Sequence, residues 1–110
     1  MIRTKYEITR DINNYEYLKR QYNNMLDKLQ DAKWYLNNSS EKISTIKSQI
    51  NQGFMVNNNG ADKNKLKDIE SNINASKSRV INTLIPKVQN KISSITTKLR
   101  RLYNELAGAK

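Results

Sequence analysis

From Ile8 to Ile50 an apolar or small side chain returns every three or four residues, through Ile12, Tyr15, Leu18, Tyr22, Met25, Leu29, Ala32, Leu36, Ser39, Ile43 and Ile46. No proline or glycine interrupts the run. This is the repeat of a helix carrying one apolar stripe, and the alternation a strand needs is absent. A second stripe passes through Leu66, Ile69, Ile73, Ser76, Val80, Leu84, Val88, Ile92, Ile95, Leu99, Leu102 and Leu106. Its steps of three and four alternate except between Val80 and Ile92, where three fours follow one another around Pro86. A proline inside a helix removes one backbone hydrogen bond and crowds the preceding turn, so a kink is expected near Pro86.

Between the stripes lies Gly53-Phe54-Met55-Val56-Asn57-Asn58-Asn59-Gly60, which breaks the period. Gly53 suits a helix C-terminus, the Asn/Gly run suits a turn, and Asp62 is a favourable N-cap. The expectation is one all-α domain over 1–110, an antiparallel two-helix hairpin with coiled-coil-like helices. Helix 1 is placed at about 4–52, the loop at about 53–61 and helix 2 at about 62–107.

A hairpin of two helices buries one stripe on each. Here Tyr6, Tyr17, Leu26, Trp34 and Tyr35 fall off the first stripe, and Ile81, Ile85 and Tyr103 off the second. Broad apolar faces belong to bundles of three or four helices, so a partner chain is expected to complete the fold. The candidate partner contacts are therefore Leu26, Trp34, Tyr35, Ile81 and Ile85. The apolar loop triplet Phe54, Met55 and Val56 joins them, either as a plug on the bundle end or as a tip shown to a partner.

Chemistry on substrates is not expected. The chain has no His and no Cys, which removes Cys/His zinc sites and His-activated nucleophiles. Glu7 with Asp11 and Asp27 with Asp31 are i,i+4 pairs on solvated helix faces, better suited to pairing with Lys or Arg than to acid–base work. No glycine-rich phosphate loop or dinucleotide turn occurs, and no cofactor or metal is expected. There is no apolar signal region, and the longest apolar-rich stretch, Val80 to Val88, is too short to span a bilayer. A cytoplasmic protein is the expectation.

The net charge is +10. Residues 1–61 carry nine bases and six acids, and residues 62–110 carry eleven and four. That balance admits nucleic acid, an anionic surface or an acidic protein as partner. Lys91, Lys98 and Arg101 fall near one helix face and form a candidate anion-binding set, so a basic coiled coil that binds nucleic acid is the second functional reading. Homodimerisation is a further route to a complete bundle.

Two equal helical stretches, a central loop with an aromatic–glycine pair (Gly53-Phe54) and a second Asn59-Gly60 turn, and an incomplete apolar surface together resemble a known group. They are similar to the small helical-hairpin (WxG/ESX-like) proteins of Gram-positive type VII secretion, most of all the helical partner proteins of LXG-type toxins. The family's loop tryptophan and its Tyr-x-x-x-Asp/Glu export signal have no counterpart; Trp34 lies in helix 1 and Tyr103-x-Glu105 has a different spacing. The resemblance implies a chaperone or targeting adaptor that pairs with a toxin's N-terminal helical domain or another small helical protein. Export, by a route that needs no signal peptide, would then be directed by that partner.

Overall fold

The computed structural model describes residues 3–51 and 60–109, and all of these except Arg3, Thr4 and Ala109 are helical. Helix α1 spans Lys5–Asn51, α2 spans Gly60–Arg79, a π-helical turn covers Val80–Leu84, and α3 spans Ile85–Gly108. No strand occurs among the described residues. Of the expected loop, residues 53–59, Phe54, Met55 and Val56 among them, lie outside the described part, whereas Gly60 and Ala61 already belong to α2. Because α2 already begins at Gly60, Asp62 is the third residue of the helix and not its cap.

The start of α1 carries a signal that the stripe does not reveal. The Thr4 hydroxyl oxygen accepts a hydrogen bond from the Glu7 backbone N–H at 3.1 Å, and the same hydroxyl donates to the Glu7 carboxylate at 3.1 Å. Thr4-x-x-Glu7 is thus a capping arrangement that satisfies one of the free amides of the first turn. At the other end the Ala109 N–H donates to the Leu106 carbonyl at 3.1 Å, closing the last turn of α3.

The chain divides into two compact units, residues 1–28 with 85–110 and residues 29–84. In the first, Ile8 and Ile12 of α1 bury themselves against Ile95, Leu99 and Leu102 of α3, and Tyr15, Tyr22, Leu106 and Ala109 pack around them. The pairing is antiparallel: Arg3 meets Glu105, while further along α1 Tyr15 meets Lys98. In the second unit the buried hydrophobic residues are Ile43 and Val80, each 9% exposed. Here Lys47 of α1 pairs with Glu70 of α2 at 2.9 Å, again with opposite chain directions, because Ser40 and Ser44 lie beside Lys77.

The inward line differs by one residue from the apolar stripe at several places. Leu18 is 40% exposed, Met25 47% and Ile69 48%, whereas Lys19, Leu26, Glu70 and Lys77 are half-buried. Two successive steps of three, as in Ile12–Tyr15–Leu18, carry a side chain about 120° round a helix and out of the seam. The strict seven-residue repeat through Ile12 leads instead to Lys19 and Leu26. A lysine serves there because its methylene stem covers apolar surface while the ammonium reaches water. Leu26, expected as an outward partner contact, therefore belongs to the flank of the seam.

Ile85 is corrected for a related reason. Expected off the seam as a partner contact, it is 7% exposed and part of the core, while Leu84 is half-buried. From Val80 to Val88 is eight residues, one more than a heptad. A π turn closes on i→i+5 bonds and so accommodates one extra residue within a helix. Pro86, which offers no N–H to the carbonyl of Asn82, follows directly. Beyond the turn, Ile85, Val88, Ile92, Ile95, Leu99, Leu102 and Leu106 form an unbroken series of threes and fours. The interruption expected near Pro86 is thus a wide turn that resets the phase of the helix.

Two outcomes follow for stability. Leu99→Ala should cost about 2–5 kcal/mol in urea unfolding, and Leu18→Ala should stay within about 0.5 kcal/mol. Deleting Thr83, inside the wide turn, should leave a cooperative thermal transition by circular dichroism. Deleting Ser93 should abolish it, because residues beyond the deletion rotate by about 100° relative to the core.

Candidate interaction surfaces

In the unit formed by residues 29–84, Trp34 and Tyr35 are 59% and 66% exposed. Their rings meet edge to face, with centroids 5.0 Å apart and planes at 84°. This arrangement places the positive edge of one ring on the negative face of the other and holds both rings out from α1. One turn onward, Asn38, Glu41, Lys42, Thr45 and Ile46 line a shallow groove on the same helix. Ile81 is half-buried, so it contributes less exposed surface than the aromatic pair.

The seam of this unit is polar. A cleft of about 200 Å3 is lined by Ser40, Ile43, Ser44, Lys47, Glu70, Ile73 and Asn74. The Ser40 hydroxyl is buried within the unit without a hydrogen-bond partner. An unsatisfied buried hydroxyl costs about 1–3 kcal/mol, which cancels a good part of what burying one Ile or Val contributes. The Lys47–Glu70 ion pair across the seam is partly solvated and contributes of order 1 kcal/mol or less.

The unit of residues 1–28 and 85–110 is held differently. The Arg3 guanidinium donates to both carboxylate oxygens of Glu105, at 2.9 and 2.8 Å, and to Asp11. This fork matches the geometry of a carboxylate. The hydrogen bond from Arg3 holds the Glu105 carboxyl below its ordinary value, and Glu105 first, then Asp11, raise Arg3 further above its own. The Tyr103 hydroxyl donates to the Glu16 carboxylate at 2.9 Å, which raises the Tyr103 pKa.

Of the candidate anion-binding residues, Lys91, Lys98 and Arg101 all lie exposed on α3. Lys98 sits over the Tyr15 ring, its Nζ 5.3 Å from the centroid. Spaced seven and three residues apart on the uninterrupted α3, these three share one face of the helix. Among the described residues no group of Asp, Glu, His or Cys gathers as metal ligands would, and no helix is long and apolar enough to cross a membrane.

The carboxyl of Glu105 is depressed in the fold, so its contribution is complete above its unfolded value near 4.5 and is lost as pH falls through the folded value. Tyr103 is raised, so its contribution is present below 10.0 and is lost as pH rises through the folded value. Thermal unfolding followed across pH should show both limbs, with Arg3→Gln flattening the acid limb and Tyr103→Phe the alkaline one.

Comparison with known proteins gives no relative: no family model matches the chain, and neither a curated protein nor a solved structure matches it.

Proposed function

We propose that the chain is an antiparallel helical hairpin that acts as a non-enzymatic adaptor, completing a multi-helix bundle with a second helical protein. The observation that carries this reading is the Trp34–Tyr35 pair, two rings in edge-to-face contact and largely open to solvent on α1. Aromatic side chains bury large areas with little loss of rotamer freedom and dominate the energetics of interfaces. Two supports accompany it: the sparse core of residues 29–84 and the groove that follows the pair along α1. A partner helix laid on that face would add the apolar contacts this unit lacks.

The resemblance to type VII secretion proteins gives the adaptor a concrete setting. In it the chain pairs in the cytoplasm with the N-terminal helical domain of an LXG-type toxin, or with another small helical protein, and accompanies it as a chaperone. The export signal belongs to the partner. Phe54, Met55 and Val56, which lie outside the described residues, are a second, apolar candidate contact. A homodimer through the same face is the simpler variant of the same idea.

The test is affinity capture from the native host at about 0.5 M salt, where phosphate contacts are weak and apolar contacts persist. One stoichiometric helical protein should be recovered and should reconstitute a complex from purified components. Trp34→Ala with Tyr35→Ala should weaken that complex by about 2 kcal/mol or more, roughly 30-fold in Kd, with helicity unchanged. A complex indifferent to both substitutions would remove the aromatic surface from the interface. Recovery of no protein at all, with a monomeric chain in sedimentation, would end the adaptor reading.

A further inference from the structure

Between Glu70 and Glu105 the sequence holds seven Lys or Arg and not one acid. On α3 the bases fall into a pattern: Lys87, Lys91, Lys98 and Arg101 follow at intervals of four, seven and three, with Ser94 in the remaining place of the repeat. Side chains at such intervals share one face of a helix. All five are exposed. The line extends over about 21 Å of helix axis.

The surroundings leave this charge uncompensated. Among the described residues none of the four cations pairs with a carboxylate; Lys98 lies on the face of Tyr15 instead. Glu105 would follow Arg101 on the same line, but both its oxygens are taken by Arg3. Glu16 is engaged by Tyr103 and Asp11 by Arg3. Within residues 1–28 and 85–110 twelve bases stand against five acids. Like charges along one edge of a helix repel one another, and a polyanion lying along the edge relieves that repulsion.

We propose that the Lys87–Lys91–Lys98–Arg101 edge of α3 binds the phosphate backbone of double-stranded nucleic acid without regard to sequence. Ser94 within the line and Asn90 beside it are exposed hydroxyl and amide groups of the kind that contact phosphate and sugar oxygens. An anionic membrane fits less well. A helix that lies on a membrane needs a free apolar face beside its cations, and that face of α3 (Ile85, Val88, Ile95, Leu99 and Leu102) is buried. Single strands fit less well too, since the line carries no aromatic on which an unstacked base could rest. This site is independent of the Trp34–Tyr35 surface, so either can fail alone.

The experiment is fluorescence anisotropy of a labelled random-sequence DNA duplex with the full chain, repeated across salt concentrations. Four phosphate contacts give a log–log salt slope of about −3.6, or roughly a 150-fold loss of affinity between about 50 and 200 mM salt. Changing Lys87, Lys91, Lys98 and Arg101 together to Gln should bring the slope near zero. The triple variant that keeps Lys98 on Tyr15 should lose about three units of slope with the fold intact by circular dichroism. The control removes four exposed cations elsewhere, Lys42, Lys65, Lys67 and Arg79, and should lose much less. Equal loss in the control would mean that total charge and not this edge binds DNA, and would overturn the proposal. So would absence of duplex binding by the native chain, or binding to phosphatidylserine vesicles that depends on the edge while duplex binding does not.

Discussion

The described chain depends on an apolar clasp between the first turns of α1 and the last turns of α3. Ile8, at 1% exposure, and Ile12 meet Ile95, Leu99 and Leu102. Each such side chain contributes about 1.5–3 kcal/mol on leaving water. A pair of helices has no second layer to share the load, so few residues account for most of the stability of that unit. The charged fork of Arg3 with Glu105 and Asp11 closes around the clasp and sets its register, because a bidentate guanidinium accepts only one alignment. Residues 29–84 instead place Ser40, Ser44, Lys47 and Glu70 in their seam beside Ile43 and Ile73.

The helical class was legible from periodicity alone, and no strand occurs among the described residues. What periodicity could not resolve was phase. Where an apolar residue stands next to a lysine or glutamate, as in Leu18-Lys19 and Ile69-Glu70, a stripe drawn through hydrophobic residues chooses the wrong neighbour. The inward place is set by geometry, and long charged side chains can occupy its edge with their stems. Ile85 was hidden by the same logic. Its place depends on a π turn, and the one trace of that turn in the sequence is the eight-residue interval from Val80 to Val88. The Thr4-x-x-Glu7 cap, by contrast, was readable and lies outside the reach of any apolar pattern.

The surfaces were legible to different degrees. Trp34 and Tyr35 stood out because they fit no stripe, and they are exposed; their mutual edge-to-face contact needed coordinates. Leu26 and Ile85 fit no stripe either, and both turn inward. The basic edge was visible in part as Lys91, Lys98 and Arg101, and the uninterrupted α3 extends the same line to Lys87. That Glu105 is neutralised by a residue 102 positions away is a tertiary fact that no local pattern contains.

That same separation has a consequence for how the protein is made. Arg3 emerges from the ribosome 102 residues before Glu105, and Ile8 correspondingly long before Leu99 and Leu102. At about 5–20 residues per second, Ile8 and Ile12 wait roughly 5–20 s for the surface that covers them. A helix can form in that interval, but its apolar side remains open to any other chain nearby. The clasp therefore closes only after residues 95–102 have emerged, and until then the apolar side of α1 at Ile8 and Ile12 is a surface that a co-translational chaperone can meet.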